Sequence, residues 1–92
     1  MINDDIERAS AMIVSLLANR ATEATLCPSE VARALAAENR SMEWPTVMPV
    51  VHAAVDGLLV NGAVRLSWKG KPLNTRTGPY RITSGSRLHG ER

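Results

Sequence analysis

Several residues in this 92-residue chain are of types that could do chemistry. Cys27 stands just before Pro28 and Glu30, which together open a helix. A thiol at a helix N-terminus can have its pKa lowered by the helix dipole. His52 and Asp56 are spaced i, i+4, so they share a helix face and can pair. Lys69-Gly70-Lys71 places two cations about one glycine, with Arg65, Arg76 and Arg81 nearby in sequence. Trp44 and Trp68 offer ring faces on which a base could stack.

Most of these point away from catalysis. No His or carboxylate motif accompanies Cys27, so it is expected to be a small, partly buried residue at a helix start. His52 and Asp56 lack a nucleophile to activate and are expected to form a surface pair. Two His and one Cys do not have the clustered spacing of a zinc site. Lys69-Gly70-Lys71 lacks the Gly-rich lead-in and the following Ser or Thr of a phosphate loop. The expectation is a non-enzyme with no catalytic residue, no metal and no cofactor. Trp68 alternates in phase with Val64 and Leu66 and is expected in the core. Trp44, beside Pro45, is expected to pack over the start of a helix and to be the more exposed of the two.

The charges separate along the chain. Residues 1–60 hold eight acids and four Arg, a net of −4, whereas 61–92 hold seven cations and the single acid Glu91, a net of +6. Eleven of twelve Ala lie in the front part and all six Gly lie at 57 or later. An acidic, helix-rich front thus precedes a basic, turn-rich back. A single Cys cannot form an internal disulfide. The acidic N-terminus is unlike a secretory signal, and no apolar run reaches the ~20 residues that span a bilayer. The expected setting is the reducing cytoplasm, away from membranes.

The elements that must position these residues follow from periodicity. Ile6, Ala9, Ile13, Leu16 and Leu17 form one stripe of a first helix over about 4–20, capped by Asn3 or Asp4. Residues 25–27 read as a very short strand. Pro28 starts a second helix that runs to about Glu38. Residues 39–43 read as a polar turn. A third helix has its body over 49–60, with a separate turn or a kink at Pro49, and Asn61-Gly62 stops it. The period then drops to 2. Val64, Leu66 and Trp68 form one strand and Tyr80 and Ile82 a second, with Leu66 facing Ile82 and Trp68 facing Tyr80. Residues 70–78 form a long loop between them. The fold class is mainly α with a C-terminal β-hairpin: a winged helix-turn-helix of three helices plus a wing. Residues 1–83 make a single domain and 84–92 a flexible basic tail.

Four segments together carry a resemblance. These are Cys27-Pro28-Ser29-Glu30-Val31-Ala32-Arg33-Ala34-Leu35, the stretch from Trp44 to Pro49, Lys69-Gly70-Lys71-Pro72-Leu73, and Gly78-Pro79-Tyr80-Arg81-Ile82. The set resembles a family of small bacterial proteins of unknown function with a winged-helix-like fold, over roughly residues 5–83. The resemblance implies a winged helix-turn-helix and, by fold analogy, nucleic-acid binding. It carries no catalytic residue.

The residues qualify that expectation. The third helix would present Thr46, Pro49, His52, Ala53, Asp56 and Val60 to a major groove. None is an Arg, Lys, Gln or Asn, the usual readers of base edges, and Asp56 would repel phosphate. The nucleic-acid contacts expected are therefore Lys69, Lys71, Arg76, Arg65 and Arg81, with His52 from the helix and Arg87 and Arg92 from the tail. Double-stranded DNA bound with little base preference is the first partner class. The alternative is a protein partner or a second copy, docked on an apolar patch of Val47, Met48 and Val60.

Overall fold

The structure, a computed structural model, describes residues 2–21, 24–38 and 43–85, with side chains from residue 5 onward except at 44 and 45. Helix α1 spans Ile2–Ala18. It begins and ends two residues earlier than the sequence predicts. Asn3 and Asp4 therefore fall inside the first turn rather than at the cap, where acidic and polar residues still suit the positive end of the helix. Ala9, Ile13 and Leu17 are buried along its inner stripe. Helix α2 spans Pro28–Glu38, as predicted. Pro28 needs no hydrogen-bond acceptor for a missing N–H, and Glu30 Oε1 accepts the Cys27 N–H at 2.9 Å. That is the reach-back half of a capping box.

Helix α3 spans Trp44–Val60 without a break, and Pro49 lies inside it. Of the two predicted alternatives, the separate turn before Pro49 is therefore corrected, and the helical segment opening at Trp44 continues through the proline. Pro49 is exposed and forfeits one hydrogen bond. Val47 before it and Val51, Ala54 and Val55 after it are all buried, so packing against α1 and α2 holds the helix on both sides of the proline. The helix ends as Asn61-Gly62 predicts. Gly62 sits at φ 82°, its N–H bonds the Leu59 carbonyl at 3.2 Å, and the Ala63 N–H bonds the Leu58 carbonyl at 2.9 Å. Those two bonds are a Schellman motif with glycine in the left-handed position it favours.

Three antiparallel strands follow: β1 (Val64–Trp68), β2 (Lys71–Leu73) and β3 (Arg81–Ser84), in the order β2-β1-β3. The predicted pairing of Leu66 with Ile82 is present. The predicted loop over 70–78 is shorter, because β2 folds back on β1 and pairs Trp68 with Lys71 and Leu66 with Leu73. Two residues make that reversal, Lys69 at φ 51° and Gly70 at φ 81°. Positive φ at both centres is what a type I′ hairpin turn requires. Lysine there is strained, since its Cβ crowds the following carbonyl. Lys69→Asn should therefore raise stability by about 1 kcal/mol, read as a rise in Tm of roughly 4–8 °C. An unchanged or lower Tm would show the turn to be unstrained.

The short strand predicted at 25–27 is a single bridge. Leu26 and Ile82 exchange both backbone hydrogen bonds, at 2.8 and 2.9 Å. Around it lies one aliphatic core: Ala9, Ile13, Leu17, Leu26, Val31, Ala32, Leu35, Val47, Val51, Ala54, Val55, Val64, Leu66, Tyr80 and Ile82. Each fully buried Leu, Ile or Val contributes roughly 1.5–3 kcal/mol through removal from water.

Two expectations about this core are corrected. Trp68 is 37% exposed rather than buried, because β1 runs past the end of the core and Tyr80 takes the buried aromatic place. Ser84 and Gly85 are buried and belong to the fold rather than to a tail, with the Gly85 N–H bonding the Ala63 carbonyl at 2.8 Å. The rest of the predicted tail, including Arg87 and Arg92, lies outside the described residues. So do most of the predicted turn at 39–43 and the side chain of Trp44.

Candidate nucleic-acid interface

The hairpin and helix α3 carry the residues singled out for function, and the structure sorts the cations into two sets. Arg65 projects from β1, Lys69 sits in the tight turn, and Lys71 opens β2. All three are exposed, and none is paired among the described residues. Arg76 and Arg81 are instead committed to the protein. Arg76 reaches back to α3, donating from Nε to Asp56 Oδ1 at 2.9 Å and from Nη2 to Asp56 Oδ2 at 3.1 Å. This bidentate geometry is the favourable one for Arg and carboxylate. Arg81 donates from Nε to Thr25 Oγ1 at 3.0 Å.

The His52–Asp56 pair predicted from the i, i+4 spacing does not form. Asp56 goes to Arg76, and His52 Nδ1 lies 2.7 Å from Tyr80 Oη with the two rings tilted. Burial lowers the His52 pKa and the Arg76 charge lowers it further, against a smaller opposing effect of Asp56. Burial pushes the Tyr80 hydroxyl well above its ordinary value. At neutral pH both groups are therefore uncharged, and the imidazole tautomer sets which of them donates. His52, one of the expected nucleic-acid contacts, is thus held as a neutral ring against Tyr80. Its partner Tyr80 and the Arg81 partner Thr25 had no signal in the sequence, since each lies more than twenty residues from its mate.

Two hollows flank the hairpin. One, of about 450 Å³, lies between α3 and the loop after β2, lined by Asp56, Leu59, Val60, Asn74, Thr75 and Arg76. The other, of about 200 Å³, lies on the sheet near Arg65, Ser67 and Thr83. The apolar patch expected from Val47, Met48 and Val60 does not assemble. Val47 is 1% exposed and Met48 packs on the core, which leaves Val60, at 88%, alone. The helical period places Val47 on the inner stripe with Val51, Ala54 and Val55.

Cys27 is half-buried, with Sγ 3.0 Å from Ser29 Oγ. Burial raises its pKa, but hydrogen bonds from Ser29 and Glu30 and the charge of Arg81 outweigh it, and the net direction is down. Its neighbour Glu30 is held ionised chiefly by Arg20, 2.9 Å away. No base is positioned on the thiol among the described residues. No three His, Cys, Asp or Glu among them converge on a metal site. No described helix is long and apolar enough to cross a membrane.

Three helices closed by a small antiparallel sheet make a mainly helical domain, consistent with a winged-helix-like fold. The hairpin β1–β3 and its inner turn stand in the place of the wing. The chain belongs to the family DUF3253, described as proteins of unknown function, whose profile matches residues 6–85. This agrees with the resemblance drawn from Cys27–Leu35, Trp44–Pro49 and the two hairpin segments. No curated protein matches the chain.

Proposed function

We propose that this domain is a binding module rather than an enzyme, which works in the cytoplasm and holds the phosphate backbone of nucleic acid through its wing. The observation that carries the reading is the division of cations. Arg65, Lys69 and Lys71 are exposed and unpaired among the described residues, while Arg76 neutralises Asp56, the acid on the outward face of α3. The wing thus supplies charge and also removes the repulsion that the sequence places on the neighbouring helix. No acid lies between residues 61 and 85.

Base readout should be slight. The outward positions of α3 are Thr46, Pro49, Ala53, Asp56, Gly57 and Val60, with Asp56 occupied by Arg76 and His52 by Tyr80. None offers the bidentate donors that distinguish bases. Phosphate contact without base contact gives binding that tolerates sequence and weakens with salt.

The test is binding of a labelled generic duplex across a salt series. Three phosphate contacts give a slope of log K against log salt near −3. The triple variant Arg65→Ala, Lys69→Ala, Lys71→Ala should bring that slope close to zero, while Arg76→Ala alone should change it much less. Absence of wild-type binding at low salt, or a slope unchanged in the triple variant, would reject the reading.

A further inference from the structure

We infer that Trp68 and the two lysines of the wing turn form a stacking anchor for an unpaired nucleobase. This rests on the wing reading above and names the form of nucleic acid it would prefer. Trp68 closes the β1–β2 hairpin opposite Lys71, with Lys69 and Gly70 as the turn between them. Directly paired residues project from the same face of a sheet with Cβ atoms about 5 Å apart. Lys71 therefore leaves the sheet on the same face as Trp68, and Lys69 sits in the turn that joins them.

Trp68 is 37% exposed, although Val64 and Leu66 on the same strand face are buried. A tryptophan with that much open surface is available to a partner. An apolar protein surface fits poorly, because covering Trp68 would also desolvate Lys69 and Lys71, both exposed. A nucleobase flanked by phosphates fits both features, with the ring stacking and the ammonium groups meeting negative charge. The backbone adds a third observation. Lys69 holds a left-handed conformation, φ 51°, that glycine or asparagine adopts at lower cost. Strain retained in order to keep a cation at the tip accords with a contact made there. A base inside a duplex has no free face, so the anchor requires single-stranded nucleic acid.

Fluorescence anisotropy at one low salt concentration tests this, with a labelled oligothymidine and a labelled duplex of equal length. Wild type should bind the single strand several-fold more tightly than the duplex. Trp68→Ala should weaken single-strand binding about tenfold, the scale of one lost stacking contact, and leave duplex binding nearly unchanged. Trp68→Phe should keep most of the single-strand affinity, and a melting curve for each variant confirms that it is folded. Single-strand binding by Trp68→Ala equal to wild type, or an equal loss on both probes, overturns the anchor while the wing reading stands. Failure of the wild-type protein to bind either probe overturns both.

Discussion

Ile82→Ala is expected to cost about 3–4 kcal/mol, within the range for deleting a buried aliphatic side chain. Ile82 has no exposed surface. It pairs with Leu66 across the sheet and with Leu26 on its other side, so it joins the hairpin to the segment between α1 and α2. Among the described residues the core is aliphatic, with Tyr80 its one aromatic member, and small side chains leave little slack to refill the space. Domains of this size are stabilised by about 5–15 kcal/mol in all. The loss should therefore appear as a fall in Tm of roughly 12–30 °C, while Ile82→Val should cost only about 1 kcal/mol. A melting temperature for Ile82→Ala within a few degrees of wild type would show that the bridge is peripheral.

The second large effect concerns Gly85. A Cβ built there would collide with the Gly62 carbonyl oxygen and press on the Ala63 and Val64 backbone. These neighbours are main chain and cannot rotate away as a side chain would. They also belong to the Schellman turn that ends α3 and to the start of β1. Gly85→Ala should cost about 2–4 kcal/mol and speed amide exchange at Val64 and Gly85. Gly57→Ala supplies the opposite sign. Gly57 lies inside α3 with open space around its Cβ position, so alanine there should stabilise by about 0.5–1 kcal/mol. Urea midpoints for the two variants on either side of wild type would confirm the contrast, and a Gly85→Ala midpoint equal to wild type would refute it.

These two residues also show what was legible in the sequence. Ile82 was readable because strand alternation needs only a few neighbours, and its facing of Leu66 followed from matching the apolar sides. The start of α2 at Pro28 and the stop at Asn61-Gly62 were readable because caps act locally. Gly85 looked like tail because its constraint comes from a backbone more than twenty residues away. Pro49 misled for a related reason. Its local preference is to break a helix, and the packing of Val47, Val51 and Val55 overrides it. The β2 hairpin was hidden because Lys69 is not a turn-forming residue, and with it the exposure of Trp68. Within the candidate interface, the residue types were legible and their division was not. Nothing in the spacing says that Arg76 belongs to Asp56, or that Lys69 and Lys71 have no partner among the described residues.

The Leu26–Ile82 bridge has a consequence for the making of the protein. The chain emerges from the ribosome in order, N-terminal part first. Leu26 is made early, yet its partner strand ends at Ser84. Until that strand has been synthesised, the edge beside Leu26 keeps two unmet backbone groups and the three helices lack the apolar cover of Val64, Leu66 and Ile82. Contacts so far apart in sequence form slowly, because a long loop must close before they reward it. The nascent helices must therefore wait for β3, whose arrival completes the core.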